Sequence, residues 1–165
     1  MIIPTLQEFF QLLQLHSNNL ECADYSKKPI IAIDFGSKKT GIAISNPERT
    51  IAMPIKIIVE AREEYRIKEI LALIYIYGAC GIVVGLPISM NGQETAQTAI
   101  VIKFSEKLST FTTLPIYLQD ERLTSMAANS LLKSLGVKRR ERNNRDDSIA
   151  ASMILETTLD SIRKL

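Results

Sequence analysis

One histidine, two cysteines and no tryptophan leave this sequence few ways to do chemistry. His16 stands alone in a polar N-terminal stretch, so neither a serine–histidine–aspartate site nor an imidazole zinc site has the residues it needs. It reads as a solvent-exposed helix residue. Cys22 and Cys80 lie far apart without a CxxC spacing, which fits two incidental thiols in a reducing compartment, the cytoplasm. Charge of either sign is not in large excess: the net value is +2, so a nucleic-acid partner has to be argued from a local basic patch. Aromatic residues make up only 6%, which argues against a stacking platform for single-stranded bases and favours structured RNA or branched DNA as the nucleic-acid partner. Catalysis, if present, falls to carboxylates, lysine, arginine or a hard cation.

What is there suits a globular domain. Hydrophobic residues at 46% and charged residues at 23% exclude disordered and fibrous classes. A chain of 165 residues is long enough for one domain with a core and too short for two lobes closing on a nucleotide. Gln7, Glu8, Gln11 and Gln14 interrupt the apolar residues at the N-terminus, so a cleaved signal peptide is not expected. Ile70 to Met90 carries no charge and is about as long as a membrane span. Gly78, Gly81, Gly85 and Pro87 divide it into a helix end, a turn and a short buried strand, so no membrane partner is expected.

Along the chain, Leu6, Phe9, Phe10, Leu12 and Leu13 follow Pro4 at helical spacing, which predicts a packing helix over 4–16 and then a linker that closes at Pro29. Residues 1–28 are therefore read as an N-terminal helical extension and linker, and 29–165 as the domain proper. Ile30 to Ile33 is a β-branched run ending at Asp34, followed by the turn Gly36-Ser37-Lys38-Lys39 and a strand from Gly41 to Ser45. A third strand is expected over 51–59, with Pro54 near an edge or bulge. Arg62 to Tyr77 reads as a helix, Gly81 to Gly85 as a buried strand, and Leu86 to Gly92 as a loop into a second helix reaching Leu108. Pro115 to Gln119 is a further strand, Leu123 to Leu135 a helix stopping at Gly136, and Asp147 to Ile162 the last helix. The order predicts an α/β fold: a mixed five-stranded sheet, three strands in an antiparallel meander plus two parallel, flanked by helices.

Asp34 and Glu121 both fall at the C-terminal ends of expected strands, where open α/β sheets place their ligands, and Asp147 opens the final helix. Ala150 and Ala151, one turn on, add little bulk, so that helix can pack closely across the strands and bring the three acids together. Clustered carboxylates repel each other, and a bound cation is the natural compensation. All-oxygen ligands favour Mg²⁺ or Mn²⁺, and two such ions can activate water and stabilise the leaving oxygen of a phosphodiester.

The stretch from Ile33 to Ala43, which reads Ile33-Asp34-Phe35-Gly36-Ser37-Lys38-Lys39-Thr40-Gly41-Ile42-Ala43, resembles the opening motif of the YqgF family. Val83-Val84-Gly85-Leu86-Pro87, Asn91-Gly92, Asp120-Glu121-Arg122-Leu123-Thr124-Ser125, and Asp147-Ser148-Ile149-Ala150-Ala151 with Ile154-Leu155-Glu156 resemble that family's later motifs, in order. The resemblance covers roughly Pro29 to Asp160, and several spaced motifs in order are far more specific than any one. It implies a ribonuclease H-like fold and a cytoplasmic nuclease that matures the 5′ end of pre-16S ribosomal RNA, with Holliday junction resolution as the family's older role. Its acidic site falls on Asp34, Glu121 and Asp147. Asp146 stands where the family more often has an apolar residue, which leaves the third ligand open between neighbours; a helix N-cap is its simpler role. The segment 1–28 extends beyond the family's usual start.

Lys38 and Lys39 on the hairpin are candidates for touching a nucleic-acid backbone, although exposed lysines are often only solvated charges. Lys138, Arg139, Arg140, Arg142 and Arg145 form the one dense basic cluster, immediately before Asp147, and are expected to steer phosphates toward the acids. Arg122 can hold a phosphate or clamp a neighbouring carboxylate; Asp120 is expected to face away and be structural. Two rivals compete. A nucleotide-binding protein of the actin and sugar-kinase kind shares a similar hairpin but needs a second lobe. A non-cutting nucleic-acid-binding module would not need all three acids intact. Junction cleavage calls for two symmetric cuts and so a homodimer, whereas RNA processing is open to a monomer.

Overall fold

The β-branched runs become the centre of a mixed sheet whose two faces are covered by different helices. The computed structural model describes residues 1–18, 28–122 and 147–165. Among these, the strands are β1 (Ile2–Ile3), β2 (Ile30–Phe35), β3 (Lys39–Ser45), β4 (Ala52–Val59), β5 (Gly81–Leu86) and β6 (Ile116–Asp120), and the helices are α1 (Leu6–Asn18), α2 (Glu63–Tyr77), α3 (Ala96–Ser109) and α4 (Asp147–Ile162). The order across the sheet is β1-β6-β5-β2-β3-β4. β2, β3 and β4 form the antiparallel meander, while β5 runs parallel to both β2 and β6.

The sheet thus has six strands among the described residues, one more than expected. Ile2 and Ile3 pair in parallel with Ile116 and Tyr117, extending the sheet beyond β6. Two residues before a proline carry no readable alternation, and only the unpaired edge of β6 makes a strand of them. The expected helix over 123–135 lies outside the described residues.

Local chemistry accounts for the other elements. β2 is buried on both faces between β3 and β5, which is why its sequence is a continuous apolar run up to Asp34. Pro54 sits on the edge strand β4 opposite Ala43, beside a register shift between Ile42 and Ala43, where a missing N–H costs little. α2 ends at Gly78, whose left-handed backbone (φ 62°) lets its N–H close onto Ile74 and Tyr75. The uncharged stretch 70–90 is the end of α2, that turn and β5; no helix among the described residues is long and apolar enough to cross a membrane.

Strand alternation decides what faces what. Ile31, Ile33 and Phe35 of β2 pack with Ile67, Ile70, Val101 and Phe104 of α2 and α3. Ile30 and Ala32 turn the other way, toward Phe9 and Leu13 of α1 and Ala151, Ile154 and Leu155 of α4. Phe9 and Leu13 lie directly over Gly81, where a Cβ would come within 2.9 Å of the Phe9 ring and 2.8 Å of Leu13 Cδ2. α1 is therefore part of this core. Leu13→Ala is expected to cost about 3 kcal/mol in urea unfolding; a loss below about 0.5 kcal/mol would mean that α1 is dispensable to the fold.

Candidate active site

The same alternation that puts Ile30 and Ala32 under α4 puts Asp34 there too. It is half-buried near the C-terminal end of β2, paired with Gly41 of β3. On β6, Gln119 points to the α4 side and accepts a hydrogen bond from Thr158 Oγ1 at 3.0 Å. Glu121, just past the end of β6, reaches the same side, where its carboxyl lies over Gly85, whereas Asp120, the last residue of the strand, faces away. Asp34 and Glu121 therefore meet on one face of the sheet, across the end of β5, which lies between their strands. Asp147 is the first residue of α4, the helix that packs across β2, β3, β4 and β5. Its side chain lies outside the described residues, and among those residues no group of three or more histidine, cysteine, aspartate or glutamate side chains forms a metal cluster.

What lets the two acids meet is Gly85. It pairs with Gln119 at the end of β5, and a Cβ there would strike Glu121 Oε1 and approach Ile154 Cδ1 of α4 at 2.5 Å. The Glu121 carboxyl thus occupies the space that a side chain at 85 would fill. Its pKa is pushed up to about 7, first by burial and then by the charge of Asp34, with Asp120 a lesser cause. A carboxyl mostly out of water and beside a second carboxylate keeps its proton to a higher pH than an exposed one. A hard divalent cation relieves the repulsion between the two, so the donor set fits the ion that the sequence calls for.

Asp120 takes the other role open to it. Arg122 Nε and Nη2 reach its carboxylate at 3.0 and 2.6 Å, and the Arg122 backbone N–H donates to Oδ1 at 2.9 Å. This grip holds the Asp120 carboxyl below its ordinary value. The sequence left Arg122 between a phosphate and a carboxylate; the structure gives two of its nitrogens to Asp120 and leaves Nη1 beside Gly92. The loop before α3 is held in shape from within: Thr98 Oγ1 donates to the Pro87 carbonyl, and Ser89 Oγ to the Gln93 carbonyl at 2.6 Å. Lys38 and Lys39 are exposed on the β2–β3 turn, which with Asp34, Gly36 and Ser37 lines an open pocket of about 310 Å³. Lys138, Arg139, Arg140, Arg142, Arg145, Asp146 and Cys22 lie outside the described residues, as does the His16 side chain.

The roles of two residues at the site escaped the sequence reading. Gly85 reads as the end of a buried strand, and nothing local says that a carboxyl needs its space. Arg66, on α2, is 5% exposed and donates to the Gly36 carbonyl at 2.7 Å. It did leave a signal: it stands at the i−4 and i−8 positions of the buried Ile70 and Ile74, a charge on an apolar stripe.

Comparison with known proteins adds relatives and folds. The RuvX family, described as Holliday junction resolvase, matches residues 28–161. A protein of Rickettsia bellii (strain OSU 85-389) is 59% identical over 165 residues, the whole of both chains, and one of Rickettsia felis is 56% identical over the same length. Both carry the name "Putative pre-16S rRNA nuclease". Among solved structures, Thermus thermophilus RuvC in complex with a Holliday junction substrate matches with a TM-score of 0.56 at 12% identity, covering 83% of this chain and 94% of that one. A second Thermus thermophilus RuvC structure matches at 0.50 and 12% identity, over 82% and 95%. At such identities the likeness is one of fold: that of the ribonuclease H-like resolvases.

Proposed function

Because this chain belongs to the RuvX family and is a nuclease, we propose that it hydrolyses phosphodiester bonds with divalent cations held by Asp34, Glu121 and Asp147, and that its substrate is the 5′ end of pre-16S ribosomal RNA. One observation supports the chemistry above all: a mostly buried Glu121 packed over Gly85 on the side of Asp34, its pKa pushed up to about 7. Two carboxylates kept that close out of water are poorly placed as structural charges and well placed as ligands. The RNA substrate rests on full-length identity of 54–59% to relatives named for it.

Each part then has a task. Asp34, Glu121 and Asp147 would hold the cations, Mg²⁺ or Mn²⁺, as a pair; such ions would supply Lewis-acid activation of water and neutralise the charge that develops on the phosphate. Lys38, Lys39 and the cluster Lys138, Arg139, Arg140, Arg142 and Arg145 attract the phosphate backbone, with Arg122 Nη1 at the rim. The compartment is the cytoplasm, and the chain is read as an N-terminal extension, 1–28, ahead of a nuclease domain of 29–165, with Phe9 and Leu13 of α1 packed in that domain's core. A monomer suffices for the RNA role.

A second reading follows from the family description, Holliday junction resolvase, and would call for a homodimer. The test is to incubate the protein with labelled precursor rRNA and with a four-way DNA junction, in Mg²⁺, Mn²⁺ or EDTA. Cleavage of the RNA alone, lost in EDTA, is the expected result. Metal-dependent cutting of the junction alone would move the assignment to the second reading, and intact substrates under every condition would remove the proposal.

A further inference from the structure

Buried arginines are ordinarily paired with a carboxylate, and Arg66 has none among the described residues. Its Nη1 donates to the Gly36 carbonyl at 2.7 Å and lies 3.5 Å from Thr40 Oγ1, its guanidinium carbon is 4.4 Å from the centre of the Phe35 ring, and its Nε has no hydrogen-bond partner among the described residues. All these partners are neutral. A side chain needed only to fill this place on the α2 stripe would be aliphatic, like Ile70 and Ile74 on the same face.

The turn above it explains the charge. Phe35 and Gly36 follow Asp34 directly, and both of their carbonyls are drawn inward: Gln97 Nε2 of α3 donates to Phe35 O at 3.2 Å, and Arg66 to Gly36 O. Gly36 N–H closes the turn onto the Lys39 carbonyl at 2.9 Å, and a Cβ on Gly36 would meet that carbonyl oxygen at 2.8 Å. The next two backbone N–H groups, of Ser37 and Lys38, have no acceptor among the described residues, and these residues line the pocket beside Asp34. Successive unpaired amides over a buried positive charge make a concavity that suits an anion.

We infer that Arg66 is a positioning residue of this nuclease: it holds the Gly36 carbonyl inward so that the Ser37 and Lys38 amides are set to grip a non-bridging phosphate oxygen of the nucleic-acid backbone beside Asp34. The inference rests on the nuclease reading above and deepens it, because it assigns the hairpin to phosphate capture and not to sequence reading.

Arg66→Met keeps an unbranched apolar stem, though a shorter one, and removes charge and donors; Arg66→Lys keeps the charge and a single donor group. Binding of a fluorescent four-way DNA junction and of a precursor rRNA fragment is measured in EDTA by anisotropy, and KM and kcat with metal on whichever is cut. For Arg66→Met, weaker binding and a KM raised by about tenfold are expected, with kcat changed less than about threefold, since a charge-assisted contact is lost from ground and transition states alike. Arg66→Lys is expected to recover most of the binding, and both variants to unfold cooperatively in urea. Binding by Arg66→Met within about twofold of the wild type would overturn the inference. So would equal impairment of both variants in proportion to their unfolded fraction, or failure of the wild type to bind either probe. If the wild type binds in EDTA but cuts neither substrate, the nuclease reading fails while the binding data still decide the role of Arg66.

Discussion

Glu121→Gln is expected to lower phosphodiester cleavage by about a thousandfold while stabilising the metal-free protein at pH 8 by up to about 3 kcal/mol. The two effects share one cause. Folding moves this carboxyl from an ordinary 4.5 to about 7, through burial first and Asp34 second. Below pH 4.5 the group is protonated in folded and unfolded chains alike and costs the fold nothing. Between 4.5 and about 7 the folded protein keeps a proton that the unfolded chain has released, so stability falls as pH rises, by about 1.4 kcal/mol per unit. Above about 7 the full penalty is present. Glutamine does not ionise and escapes it, but it also removes a charge that cations would need.

Urea unfolding in EDTA at pH 4 and pH 8 gives the measurement. The variant and wild type should agree at the lower pH and separate at the higher; equal curves at both would show that Glu121 is not held against its charge. Adding Mg²⁺ should stabilise the wild type and leave the variant unchanged, because only the wild type offers the full set of ligands. Asp34→Asn should lose cleavage to a similar degree and gain less stability, since it removes the second cause of the shift and leaves the first.

Gly85→Ala is expected to cut cleavage by about a hundredfold for a stability loss of only about 1–2 kcal/mol. The atoms that a Cβ would strike are Glu121 Oε1 and Ile154 Cδ1, both at the far ends of side chains that can swing aside. The fold therefore absorbs the methyl cheaply, but it does so by moving the carboxyl away from Asp34. Gly81→Ala is the matched control. It lies on the same strand, its Cβ would meet Leu13 and Phe9, and it is remote from the acids, so it should lose stability without losing activity per folded molecule. If Gly85→Ala retains wild-type cleavage, then Glu121 has no need of the position it occupies.

Much of this was legible beforehand. The alternation and length of the apolar runs named β2 to β6 and all four described helices to within a few residues, because periodicity records which side chains a segment buries. Asp34 and Glu121 were found as acids that close apolar strands, a pattern that core packing alone would not select. Asp120 was correctly turned to the opposite face by counting alone, since side-chain direction along a strand alternates whatever the strand pairs with. Ile2 and Ile3 gave no such record, being too few to alternate.

By itself, then, the sequence determined the order of the elements, the acids at the strand ends and the hairpin beside them, all of which follow from interactions within a few residues along the chain. Only the tertiary structure decided that β5 runs between β2 and β6, that Gly85 yields its space to Glu121, and that Arg66 is buried under the turn after Asp34. Glu121 and Gly85 are 36 positions apart and Arg66 and Gly36 are 30, so their meeting is set by strand order, register and helix packing. Those are products of the whole fold, and no local pattern of residues encodes them.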